Sequence, residues 1–298
     1  MLNISSMKKI QLSKEKWIGE GHPPFIIAEI GNNHNGDLKI AFDLIEKAKE
    51  SGADAVKFQV KDIELAFEKE LLDKQYTGPN SFGNTYREHK LALEFTEDQM
   101  RELYQFAQKI DIVCFATPFD VKSVDMLERL GNTIYKISSF HVVDLELIEK
   151  IAKTKKPILM STGMSSIEEI ETAVNLIRKY SESLALFQCT SSYPTADENV
   201  NLRVIPELRG KFDCPVGYSG HERGIKISVA SVSLDACMIE RHFTLDRTMK
   251  GPDHAASIEP PGMEFLVEGS RKIFHALGSN KKSVLDCELN NRKKFRGY

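Results

Sequence analysis

No stretch of the chain approaches the roughly 18 continuous apolar residues that a membrane span requires. The opening segment MLNISSMKKIQLSKEKW lacks the apolar core of a secretory signal, so a cytoplasmic protein without membrane contact is expected. Cysteine is scarce: Cys114, Cys189, Cys214, Cys237 and Cys287 are odd in number, widely spaced and form no C-x-x-C pair. That argues against a disulfide framework and a thiolate zinc site, and predicts reduced, mostly buried thiols. Charge of one sign is also missing, because the formal net charge of -3 comes from interleaved acids and bases, which gives no sustained field for a nucleic acid. The single basic cluster, Arg292, Lys293, Lys294 and Arg296, reads as a solvated C-terminal tail over 281–298.

What is present is ordinary globular material, 41% apolar and 28% charged over 298 residues. A single domain is expected over 1–280, since α/β barrels commonly reach about 250 residues as one unit. Short β-rich apolar runs recur at 25–30, 55–59, 112–117, 134–139, 157–161, 184–190, 215–219 and 237–244. Helical periodicity lies between them. Ile167, Ile170, Val174 and Ile177 share a face behind Ser165 and Glu168, which are spaced as a capping box. Another helix starts at Thr96, with Gln99 three residues on, and turns Met100, Leu103, Phe106, Ala107 and Ile110 inward. Strict β/α alternation implies parallel strands with right-handed crossovers, and eight such units predict a closed (β/α)8 TIM barrel. A doubly wound open sheet is the alternative, but the first turn reads GNNHNGD and has no G-x-G-x-x-G.

Two segments fall outside the repeat. Residues 8–24 alternate before Gly19 and Gly21 and predict a short N-terminal hairpin over the lower mouth of the barrel. The run from Lys61 to Leu93 is too long for a simple βα loop and is read as a lid or substrate wall.

The informative feature is that polar residues interrupt the strands near their C-terminal ends, the rim where barrel enzymes place their chemistry. Glu29, Lys57 with Gln59, Thr117, Lys136 with Ser138, Ser161, Gln188, Ser219 with His221, and Glu240 with His242 follow one another strand by strand. Burying such charges without partners costs several kcal/mol each, so they are expected to share one cavity and a charged ligand. Lys57 and Lys136 with the hydroxyls of Ser161 and Ser219 suit a small polyanion such as phosphoenolpyruvate (PEP). His221 and His242, at equivalent ends of adjacent strands, suit two imidazole ligands of one cation. His22, His89 and His275 are read as surface residues, while His34 either lines the site or orders the first loop.

Taken together, AEIGNNHNGD, GADAVKFQ, YKISS, STGMSS, CTSSYPT, GYSGHERGI and IERHFTLDRTMKGPDHAASIEP resemble the sialic acid synthase family over roughly residues 22 to 290, and YTGPNSFGNTYREHKLALEF resembles its animal-type branch. The resemblance implies condensation of PEP with N-acetylmannosamine, or its 6-phosphate, to N-acetylneuraminate or its 9-phosphate plus phosphate. It places manganese or magnesium on His221 and His242, PEP on Lys57, Lys136, Ser139, Ser161 and Ser219, and Gln59 and Tyr193 in the same pocket. Asp253 matches a carboxylate near the sugar, Glu240 a support for the metal, and Glu29 the group that handles water or its protons.

Three departures accompany it. His141 stands where the family usually has Glu or Asp to grip the sugar. Ser191 and Gly220 replace an Asn and an Asp of some bacterial members, as in the animal-type branch. The antifreeze-like domain that caps the partner's site in a swapped dimer of the family is not expected here, so a homodimer is expected only by analogy, and a separate cap-domain protein is an alternative. Rival readings are a legionaminate- or pseudaminate-type synthase, a Schiff-base aldolase using Lys57 or Lys136, and a non-catalytic sugar-acid-binding barrel.

Overall fold

The computed structural model describes residues 8–298. A hairpin of β1 (Lys9–Gln11) and β2 (Trp17–Gly19) precedes the first barrel strand, β3 (Phe25–Gly31). Then α1 (Leu38–Glu50) leads to β4 (Ala55–Val60). Three short helices, α2 (Ile63–Ala66), α3 (Lys69–Leu72) and α4 (Tyr86–Leu91), come before α5 (Glu97–Lys109) and β5 (Val113–Pro118). The remaining units are α6 (Val121–Arg129), β6 (Tyr135–Ile137), α7 (Leu145–Lys153), β7 (Ile158–Ser161), α8 (Ile167–Arg178), β8 (Leu184–Cys189), α9 (Val204–Phe212), β9 (Val216–Gly220), α10 (Lys226–Ser231), β10 (Met238–His242) and α11 (Pro260–Leu277). A final helix, α12 (Leu289–Arg296), carries the basic cluster on a largely exposed surface.

Strands β3 to β10 form one closed barrel of parallel neighbours, β10 pairing with β3. The predicted (β/α)8 barrel is therefore the fold. Strand bounds shift by one or two residues, most at β6 and β10; β6 ends at Ile137 because the chain turns into a 3-10 helix at Ser139–His141. The α8 cap is Ser166 with Glu169, one residue beyond the expected pair, while the Ser165 hydroxyl donates to the Gly163 carbonyl instead. At α5 the Thr96 and Gln99 capping box is as expected.

Alternation along the strands divides the core in two. Inward residues Ile27, Ala55, Phe115, Leu159, Ala185, Phe187 and Met238 fill the lower barrel, and Ile10, Leu12 and Ile18 of the hairpin join them. The hairpin thus plugs the lower mouth, and the polar groups are left at the upper end. Outward residues pack under the helices, as Ile170, Ala173, Val174 and Ile177 of α8 do. Cys189, Cys214 and Cys237 are buried, Cys114 is half-buried, Cys287 is exposed, and all are free. No helix among the described residues is long and apolar enough to cross a membrane.

Candidate active site

Parallel register carries the sequence pattern into space. Glu29 pairs with Lys57 on one side and with His242 on the other, Gln59 pairs with Thr117, and Glu240 with Ser219. Paired residues of a parallel ladder point to the same face, so these side chains meet inside the rim. One cavity is lined by Glu29, Lys57, Gln59, Thr117, Lys136 and Ser138, and by Ser139, Ser161, Tyr193, Ser219, His221, Glu240 and His242. Phe119, Phe140, Cys189 and Ser191 complete its wall. The strand-end pattern does not mark these four, because an aromatic or small side chain carries no charge signal, whether at the end of β8, as Cys189 is, or in the segments after the strands.

Two carboxylates and two ammonium groups form the floor. Lys57 Nζ lies 2.7 Å from Glu29 Oε2, donates to Thr117 Oγ1 at 2.9 Å, and stands 3.9 Å from Glu240 Oε2. Gln59 donates to Glu29 Oε1 at 2.9 Å. Lys136 donates to Ser161 Oγ at 2.6 Å and lies 3.4 Å from Glu240 Oε1, which also accepts from Ser219 at 3.1 Å. Burial opposes the charge on Lys57, yet Glu240 and Glu29 outweigh it and hold the ammonium above its usual value. On Lys136 burial wins, with repulsion from Lys57 helping, and its value falls. Burial also works against charge on Glu240, but Lys136 and Lys57 overcome it and keep the carboxyl ionised below its usual range. The quartet is formally neutral, and the 3-10 turn adds the Ser139 hydroxyl, which accepts from the Gly163 amide at 3.0 Å.

Beside this floor the His221 and His242 rings lie 5.7 Å apart. The Thr190 carbonyl accepts from His221 Nδ1 at 2.9 Å, which leaves its Nε2 lone pair free. Burial, then the neighbouring His242, lowers the His221 value to about 3. His242 Nδ1 is buried with no hydrogen-bond partner among the described residues. Tyr193 packs against His221 with ring centroids 3.9 Å apart and planes tilted by 40°, and meets His242 edge-on at 6.0 Å. No group of three His, Cys, Asp or Glu side chains gathers for a metal among the described residues. A cation here would hold two imidazoles and take its remaining ligands from water or substrate.

Several sequence expectations are revised. Gln188 points away from the cavity, donating to the Val200 carbonyl at 3.0 Å, because it alternates with inward Phe187 and Cys189. His89 is buried, not on the surface, and packs against Tyr76 at 4.6 Å and Phe82 at 5.9 Å. His34 orders the first loop: it accepts from the Gly36 amide at 3.1 Å and stacks on Phe95 at 4.2 Å. Residues 61–93 form helices and contribute no lining residue; Asn80 reaches the Gly251 amide at 3.3 Å. Asp253 lies outside the lining, accepting from Asn32 at 3.3 Å. His141 also stays behind the wall, its Nδ1 2.7 Å from Ser138 Oγ and its ring edge-on to Phe119. A Cβ at Gly220 would come within 2.4 Å of Glu222 Oε2 and 2.6 Å of the Tyr218 ring, so one of those side chains would have to shift.

The closed barrel gathers balanced charges and a pair of imidazoles inside its C-terminal rim, the place where barrel enzymes carry their chemistry. Comparison with known proteins specifies the class: the NeuB family profile matches residues 44–282. The chain belongs to the NeuB family, the sialic acid synthases. It is 44% identical over 282 residues to the N-acetylneuraminate-9-phosphate synthase of Homo sapiens, covering 94% of this chain and 79% of that protein. It is 42% identical to the N,N'-diacetyllegionaminic acid synthase of Campylobacter jejuni, covering 89% of this chain and 81% of that one. The N-acetylneuraminic acid synthetase of Leptospira borgpetersenii, crystallised with citrate, superimposes with a TM-score of 0.85 at 34% identity, covering 98% of this chain and 99% of that one. The chain is accordingly a synthase-type transferase of carbohydrate biosynthesis.

Proposed function

We propose that the enzyme condenses PEP with N-acetylmannosamine or its 6-phosphate, giving N-acetylneuraminate or its 9-phosphate and inorganic phosphate. The observation that carries this reading is the neutral quartet of Glu29, Glu240, Lys57 and Lys136 beside the His221 and His242 pair. Lys57, Lys136, Ser139, Ser161 and Ser219 hold the phosphate and carboxylate of PEP by charge-assisted hydrogen bonds. Gln59, Thr117 and Tyr193 shape the pocket. His221 and His242 would hold a divalent cation, manganese or magnesium, with Glu240 supporting them; when bound, the ion supplies polarisation of the sugar aldehyde. The two imidazoles fit that role, since one Nδ1 is fixed by a carbonyl and the other is buried without a partner.

Carbon 3 of PEP forms the new bond to the aldehyde carbon, whose oxygen takes a proton. Water adds to the cation left at carbon 2 and loses its proton to Glu29, which Gln59 and Lys57 hold in place. Cleavage of the carbon–oxygen bond then releases phosphate. Phe140 and Tyr193, 59% and 49% exposed at the rim, stand where the sugar enters. An aldolase acting through Lys57 is disfavoured, because an ammonium stabilised by two carboxylates is a poor nucleophile.

The test is phosphate release with PEP, manganese and a panel of N-acetylmannosamine, its 6-phosphate, mannose and diacetamido sugars. Turnover is expected with the first or second sugar. Turnover with diacetamido sugars alone would reassign the enzyme to the legionaminate or pseudaminate type. Borohydride inactivation with pyruvate would favour the aldolase.

A further inference from the structure

Behind the imidazole pair, on the outer face of the barrel, lies a second buried charge cluster that the proposed chemistry does not use. Arg241 sits between Glu240 and His242 on β10, and Glu222 directly follows His221 after β9. Alternation sends Glu240 and His242 inward and Arg241 outward, under α10. Arg241 and Glu222 are 1% and 0% exposed and pair at 2.9 Å.

Their hydrogen bonds go to the segment that carries His221. Arg241 Nη2 donates to the Glu222 carbonyl at 2.6 Å, and Nη1 to the Gly224 carbonyl at 2.7 Å and Ser228 Oγ at 2.8 Å. Glu222 accepts from Tyr218 at 2.8 Å and from Ser228 at 2.6 Å. Gly220 leaves room for this carboxylate to fold back, since a Cβ there would come within 2.4 Å of its Oε2. The Thr195 amide donates to the His221 carbonyl at 3.0 Å, which joins the loop bearing Tyr193 to the same unit.

Stability alone is a weak reason for such a pair, because desolvating two ions commonly cancels their attraction. Arg241 even keeps a buried Nε without a partner among the described residues. The cluster does fix geometry, since one rigid guanidinium fork ties the strand of His242 to the backbone carbonyls of Glu222 and Gly224, just after His221. We infer that Arg241 and Glu222 are positioning residues that set the spacing of His221 and His242 for the divalent cation. This rests on the two-imidazole reading above.

The experiment measures manganese affinity by electron paramagnetic resonance of the free ion on the intact chain, with folding checked by circular dichroism. Wild type should bind manganese, and His221→Ala should not. The charge-free double variant Arg241→Met, Glu222→Leu should stay folded and bind about tenfold more weakly or worse, with kcat falling further than the KM for PEP rises, because the two lysines that hold PEP lie on β4 and β6. Ile177→Ala, a cavity in α8 remote from the cluster, should lose stability and keep wild-type affinity. If the double variant does not fold, Tyr218→Phe, which deletes one donor to Glu222, should weaken binding about two- to threefold. A folded double variant, or Tyr218→Phe, with wild-type affinity overturns the inference while leaving the imidazole site standing. Wild-type manganese binding that is absent or indifferent to His221→Ala overturns both.

Discussion

Glu29→Gln changes charge at constant shape, and its consequences follow from four atoms. Glu29 accepts through both oxygens, from Gln59 at 2.9 Å and from Lys57 at 2.7 Å. An amide accepts at only one of those positions, so its NH2 group must face a donor at the other. The quartet also moves from formally neutral to a net charge of +1. Breaking a buried pair from one side costs about 3–5 kcal/mol, and Glu240, with Oε2 3.9 Å from Lys57, compensates part of that. The lower end, about 3 kcal/mol, corresponds to a fall in Tm of about 5 °C at this chain size. Because PEP brings negative charge to a cavity that now has an excess cation, it should stabilise the variant more than the wild type. Turnover should fall about 100-fold or more with the loss of the group that takes the water proton. Thermal melts with and without PEP, beside a phosphate-release assay, read all three effects. A variant with wild-type Tm and an ordinary PEP shift would refute the charge pairing on which the site is built.

Lys136→Met should raise the KM for PEP about 100-fold, as loss of one buried charge partner typically costs 2–5 kcal/mol; steady-state kinetics at fixed sugar checks this, and an unchanged KM contradicts it. Gly163→Ala would bring a Cβ within 2.4 Å of Ser191 Oγ and 2.8 Å of Ser139 Oγ. It should displace both hydroxyls and weaken PEP binding with little change in Tm, and a structure with both serines unmoved would argue otherwise. His34 is held at about 3 by burial first and by Lys61 second, so its native state refuses a proton that the unfolded chain accepts. Its contribution to stability is therefore lost as pH falls from 6.5 toward 3, at about 1.4 kcal/mol per pH unit. Urea unfolding at pH 6.5 and 4.5 should show His34→Gln narrowing the difference between the two by about 2 kcal/mol, and an equal difference in both proteins would contradict this.

Much of the fold was legible because barrel strands carry two signals at once, apolar runs for the core and a polar residue at the C-terminal end for the rim. Register did the rest: inward alternation that places Phe187 in the lower core also places Cys189 in the cavity wall and turns Gln188 outward. Strand ends alone do not reveal that phase when every residue of β8 is buried. The aromatic rim was invisible for another reason, since Phe119 and Phe140 act by position in loops and not by residue type. His89 was misread because a histidine flanked by Glu88 and Lys90 looks solvated, whereas the insert folds into helices that bury its ring among Tyr76, Phe82 and Tyr86. Glu222 and Arg241 lay in recognised motifs, but only coordinates show that they bond to each other.

The most direct test is a crystal soaked with manganese and PEP, with data collected at the manganese absorption edge. The account predicts one anomalous peak between His221 and His242, with the enol phosphate lying across Lys57 and Lys136. A peak elsewhere, or PEP bound away from those two lysines, would contradict it.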